Sequence, residues 1–161
     1  FPGDSSRHTH TLTSVAAIVR RFVGSEDAET FITRIAFDAL VGNGDAHLKN
    51  WAFVYPDGRT PRLAPVYDVF PTVLLGDPGF ALPLKGHPFK GIVAFRAIDV
   101  PRLRQLAIGL KLSPDAVMDR VGETVRRALQ TFEAVLARTT LPPEDRALWR
   151  EHLDSLPLTK L

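Results

Sequence analysis

Between Asn43 and Asn50 the sequence "NGDAHLKN" gathers two Asn, an Asp, a His and a Lys, with apolar segments on either side. A surface turn needs only Gly, Asn and Asp, so His47, Lys49 and Asn50 exceed what turning requires. Asp45 and Asn50 stand in D-x-x-x-x-N spacing, and a second carboxylate, Asp68, follows further on beside Tyr67. Carboxylate and amide oxygens suit a hard cation such as Mg²⁺, which takes few protein ligands and keeps water or phosphate oxygens for the rest. Asp45 would then be a base, and Asn50 and Asp68 metal ligands. That set suits the transfer of a phosphoryl group to a hydroxyl. His47 and Lys49 lie where either can meet phosphate charge. The plainer alternatives are a polar turn, a bracing histidine and a solvated lysine.

The flanking elements decide how much weight this spacing carries. Apolar residues at Val15, Ile18, Val19, Phe22 and Val23 predict a helix over 14–23, closed by Gly24. Ser25 reads as the N-cap of a second helix, with Glu26 and Asp27 in its first turn. That helix, about 28–41, is apolar on nearly every side (Phe31, Ile32, Ile35, Ala36, Phe37, Ala39, Leu40), which predicts a central position. Gly42 ends it and the polar loop begins. "WAFVY", the turn "PDGRTP" and the return "RLAPVYDVF" predict a hairpin over 51–66, and "FALPL" (80–84) a further short strand. Asp99-Val100-Pro101, Ser113-Pro114 and Pro142-Pro143 open three more helices, the middle one with a stripe at Val117, Val121, Val125, Ala128, Leu129, Phe132 and Leu136. The fold class is mainly α with a small hairpin beside the polar loop.

In this setting "NGDAHLKN" followed by "LAPVYDVFPT" resembles the HipA family of bacterial serine/threonine kinases, the toxin halves of toxin–antitoxin pairs. The likeness runs closely over 43–68, and the order of helices around it agrees. It implies a protein-kinase-like C-terminal lobe over 1–161. It places the catalytic base at Asp45 and the Mg²⁺ ligands at Asn50 and Asp68. His47, Lys49 and Tyr67 then line the nucleotide phosphates or the metal. The cofactors implied are ATP and Mg²⁺, and the acceptor a protein Ser or Thr, an aminoacyl-tRNA synthetase among the candidates. The partner implied is a helix-turn-helix antitoxin of HipB type, through which any contact with DNA would run. Proteins with the H-R-D and D-F-G motifs share these roles, where this chain has Asn43-Gly44-Asp45 and Asp68-Val69-Phe70.

Two other readings keep the same residues: a lipid or small-molecule kinase of related fold, or a non-catalytic lobe that binds an antitoxin–DNA complex. The chain opens on Phe1 and its single Met is Met118, so it is expected to be part of a longer polypeptide. The nucleotide-binding N-terminal lobe would then be supplied in cis or by a separate chain. On that reading the fragment folds by itself but is not a competent kinase.

Composition narrows the field. Twenty basic and 18 acidic residues are interspersed, leaving a net charge of +2 and no basic stripe for direct nucleic-acid binding. The absence of Cys removes disulfides and thiolate metal sites, and with no span-length apolar run or signal peptide the expected location is the cytoplasm. "GNGDAH" is not a dinucleotide fingerprint, because it follows a helix and has His47 at the third Gly position. Asp4, His8 and His10 read as a polar arm, "KGHPFKG" (85–91) as a basic surface loop, and Trp51 and Trp149 as packing residues.

Overall fold

The computed structural model describes residues 10–84 and 93–161. The "KGHPFKG" loop, Asp4 and His8 lie outside the described residues. Five helices carry the fold: α1 (Leu12–Phe22), α2 (Ser25–Val41), α3 (Val100–Gly109), α4 (Pro114–Arg138) and α5 (Pro143–Ser155). Two antiparallel strand pairs join them: β1 (Phe53–Val54) with β2 (Arg62–Leu63), and β3 (Gly79–Phe80) with β4 (Val93–Ala94). The mainly helical class expected from the sequence is the one observed.

Helix α2 is the central element, packed against α1 on one side and α4 on the other, with α3 against α4. Its Ala28, Phe31, Ile32, Ile35, Ala36, Ala39 and Leu40 are fully buried. Phe37 is only half-buried, and it looks onto a groove shared with Arg120 and Thr124 of α4. The α4 stripe meets the core at Val117, Val121, Val125 and Ala128, with Leu129 and Phe132 packed on its margin.

Local chemistry set the helix ends differently from expectation at two places. Helix α1 starts earlier than its apolar spacing suggested, because Thr11 and Ser14 form a reciprocal capping box, Ser14 N–H donating to Thr11 Oγ1 at 3.0 Å and Thr11 N–H to Ser14 Oγ at 2.8 Å. Ser25 is not the N-cap of α2. Gly24 takes that position with φ 131°, and Ser25 is the first helical residue. A glycine reaches that backbone conformation without the steric cost another residue would meet.

The hairpin is shorter than 51–66, with two paired residues on each strand. It is held to α2 by Asp27, a buried carboxylate that accepts from Leu63 N–H at 2.8 Å and pairs with Arg62 Nε at 2.9 Å. Phe31 of α2 and Trp51 at the hairpin's base stack with ring centroids 4.3 Å apart. "FALPL" contributes only Phe80 to a strand, paired to a β4 that the sequence pattern did not reveal, while Leu82 and Leu84 go to the core.

Candidate active site

Helix α2 delivers the chain to the polar loop and stops there by a left-handed C-cap. Gly42 has φ 78°, and its N–H returns to Asp38 C=O at 3.0 Å. A side chain at Gly42 would run into Val73, so glycine is required here for space as well as for φ.

Helix ends leave carbonyls without intrahelical partners, and here α5 supplies donors. Trp149 Nε1 donates to Val41 C=O at 3.1 Å, and His152 Nε2 lies 2.8 Å from Ala39 C=O. A carbonyl can only accept, so Nε2 carries the proton. Burial lowers the His152 pKa, with the backbone contacts opposing that shift. Trp149 therefore does more than pack.

A 3₁₀ turn after the hairpin, Thr72–Leu75, braces the loop from another side. The buried Thr72 hydroxyl accepts from Gly44 N–H at 2.7 Å and donates to Gly42 C=O at 3.2 Å. Val73 N–H adds a bond to Gly42 C=O at 3.0 Å, and Ala81 N–H one to Gly44 C=O at 2.8 Å. Asp77 and the Gly79 carbonyl press so closely on Gly44 that a Cβ would collide with both.

On this foundation the loop folds back on itself. Asn50 Nδ2 donates to Asp45 C=O at 2.9 Å, which leaves Asn50 Oδ1 as the amide's remaining acceptor. His47 N–H also donates to Asp45 C=O at 2.6 Å, and residues 48–50 form a single 3₁₀ turn. Tyr67 reaches across from the segment after the hairpin, its hydroxyl donating to Lys49 C=O at 2.6 Å. That bond ties the residue preceding Asp68 to the loop bearing Asp45 and Asn50.

The sequence-predicted residues divide by exposure. Asp45, Lys49, Tyr67 and Asp68 are exposed, and His47 and Asn50 are half-buried. Neither the Asp45 nor the Asp68 carboxylate has a hydrogen-bond or ion-pair partner among the described residues. Asp68 has φ 55°, a left-handed conformation that non-glycine residues rarely adopt and that aspartate tolerates better than most. The His47 Nδ1 atom is buried with no partner among the described residues.

The amide oxygen of Asn50 and the carboxylate of Asp68 are donor types that a hard cation such as Mg²⁺ takes. Among the described residues no three His, Cys, Asp or Glu side chains gather as a metal site. The Asp68 carboxylate and the Asn50 amide oxygen would make a short ligand list, one to be completed by phosphate oxygens and water.

Sequence reasoning missed four residues that hold the loop: Asp38, Thr72, Trp149 and His152. Asp38 left a signal, as an acidic residue set among the apolar inward-facing positions of the last turns of α2. The other three left none, since their contacts span 28 to 113 residues of sequence.

Known proteins agree with this architecture. A Sinorhizobium fredii protein named "Putative kinase Y4dM" is 38% identical over 123 residues, covering 73% of this chain and 29% of its own length. A Haemophilus influenzae protein named "Putative kinase" is 51% identical over 35 residues, 22% of this chain and 10% of that protein. The chain thus spans less than a third of the relatives it matches. Among solved structures, the Shewanella oneidensis HipA, HipB and operator DNA complex contains a chain with the same fold, at TM-score 0.66 and 17% identity, matched over 99% of this chain and 37% of that one. No described helix is long and apolar enough to cross a membrane. The HipA-like C-terminal domain matches residues 3–132, and this chain belongs to that family.

Proposed function

We propose that this chain is the C-terminal lobe of a HipA-type serine/threonine protein kinase, acting with an N-terminal nucleotide-binding lobe on Mg·ATP and a protein hydroxyl. The observation that carries the reading is the pairing of free oxygens with a fixed backbone. Asp45 and Asp68 present carboxylates unengaged among the described residues, while the loop beneath them is bonded by Thr72, Tyr67 and its own Asn50, and α5 caps the helix leading into it. Such rigidity suits phosphoryl transfer, where the protein's work is positioning and charge stabilisation.

In this assignment Asp45 accepts the proton of the attacking Ser or Thr hydroxyl. Asn50 Oδ1 and Asp68 would hold Mg²⁺, which would supply neutralisation of phosphate charge. Lys49 and His47 sit beside that charge as donors. Tyr67 keeps Asp68 in register with the loop, since its hydroxyl proton is committed to Lys49 C=O. Membership of the HipA-like family and the shared fold support, as part of the same proposal, a helix-turn-helix antitoxin as partner.

The test is phosphotransfer from labelled ATP by this chain joined to an N-terminal HipA lobe. Asp45→Ala is expected to lower turnover on the order of 10²–10⁴-fold with nucleotide binding retained. Asp68→Ala is expected to weaken Mg·ATP binding as well as turnover. Equal loss of nucleotide affinity in the two variants, by calorimetric titration, would overturn the division of roles.

A further inference from the structure

The first residue of the candidate catalytic loop is itself held. Asn43 is 2% exposed, and both its backbone N–H and its side-chain Nδ2 donate to Asp38, to the carbonyl at 2.9 Å and to Oδ1 at 2.9 Å. Asp38 is 3% exposed in the last turn of α2, where the neighbouring inward positions are Ile35, Ala39 and Leu40. Burial pushes its carboxyl up to about 6, against the opposing pull of Asn43 and of Arg34 one turn earlier. A carboxylate is a costly way to fill a core position that an aliphatic side chain would fill without desolvation.

A small chamber under the loop shows what that cost maintains. Its walls include Arg34, Asp38, Asn43, Asn50 and Tyr67. The same walls therefore include the brace, a proposed metal ligand and the neighbour of Asp68. Asn43 Oδ1 is buried with no partner among the described residues, where the amide's one side-chain bond is to Asp38. From Asn43 the chain needs only Gly44 to reach Asp45, whose carbonyl is bonded back to Asn50.

We propose that Asp38 is the positioning residue of this loop: by fixing Asn43 it sets where Asp45 and Asn50 present their oxygens. It touches neither substrate nor metal, and it acts through the loop's first residue. The inference rests on the kinase reading for its consequence, and on the Asp38–Asn43 geometry for its substance.

Two substitutions separate positioning from packing. Asp38→Asn keeps an acceptor for Asn43 Nδ2 and adds a donor for Asn43 Oδ1. Asp38→Leu keeps comparable bulk and removes the acceptor. The experiment compares backbone amide NMR shifts of the 161-residue chain, with Mg²⁺ titrated as the probe. In Asp38→Asn the resonances of 43–50 are expected to stay in place. In Asp38→Leu they are expected to move while those of α4 do not, and turnover of the lobe-joined protein to fall on the order of tenfold to a hundredfold. Loop resonances unmoved in Asp38→Leu, or moved as far in Asp38→Asn, would overturn the proposal. If Asp38→Leu melts below the working temperature, Asn43→Ala decides: displaced resonances over 45–50 support the proposal and unmoved ones refute it. Loss of Mg²⁺ response or turnover in the wild type would count against the kinase reading alone, because the shift comparison stands without either.

Discussion

The substitution Asp38→Asn should stabilise the protein, and by an amount that depends on pH in a defined direction. The Asp38 carboxyl moves from an ordinary 3.8 to about 6 in the folded chain, chiefly because burial penalises the charged form. Since the folded pKa is raised, the fold favours the protonated acid. Its contribution is fully present below 3.8 and is lost as pH rises to about 6. At pH 8 the ionised carboxylate costs about 3 kcal/mol relative to its neutral form, taking about 1.4 kcal/mol for each pH unit between the two values. An amide carries no such charge, and its Nδ2 can also serve the buried Asn43 Oδ1. Urea unfolding of the two proteins at pH 8 should therefore separate by up to about 3 kcal/mol in favour of the variant. At pH 4 the two should nearly coincide. Other carboxylates titrate over the same range, and the variant-minus-wild-type difference cancels them. A variant less stable at pH 8, or a difference independent of pH, would refute the reasoning.

Glycine contacts give a matched pair of outcomes. Gly44→Ala drives a Cβ into Asp77 and the Gly79 carbonyl and should destabilise by roughly 1–3 kcal/mol in thermal melts. Gly122→Ala, in α4 with nothing near the new Cβ, should stabilise by about 0.5–1 kcal/mol. Asp68→Gly relieves a left-handed φ of 55° and should raise the melting temperature while weakening Mg²⁺ binding. Asp68→Ala should weaken the metal equally without that gain in stability. For the 161-residue chain by itself, Mg²⁺ affinity should be weak, on the order of millimolar by calorimetry, because so few oxygens are offered.

How much of this was legible beforehand follows the range of the interactions. The buried α2, the α4 stripe and the N-caps at Asp99 and Ser113 are local matters of periodicity and capping, and the structure has them where the spacing put them. Gly24 displaced Ser25 as a cap because the backbone there adopts an angle that only glycine takes easily, which composition does not announce. Strand β4 was invisible and the strand expected over 80–84 kept only Phe80, since two-residue strands have too little alternation to detect. At the site, residue types pointed to Asp45, Asn50 and Asp68, whereas the bonds that seat them come from elsewhere in the chain. Thr72 looks like any turn threonine, and nothing near Trp149 in sequence mentions Val41.

The two donors from α5 also bear on when the loop can form as the chain is made. Trp149 and His152 meet carbonyls 108 and 113 residues earlier in the sequence. Contacts of such long separation close late, after the loop entropy between them has been overcome. A nascent chain still short of residue 149 has α2 and the whole "NGDAHLKN" segment outside the ribosome, yet lacks the groups that cap the helix beneath it. The brace beneath the polar loop is therefore complete only once α5 has been made and has docked on the end of α2.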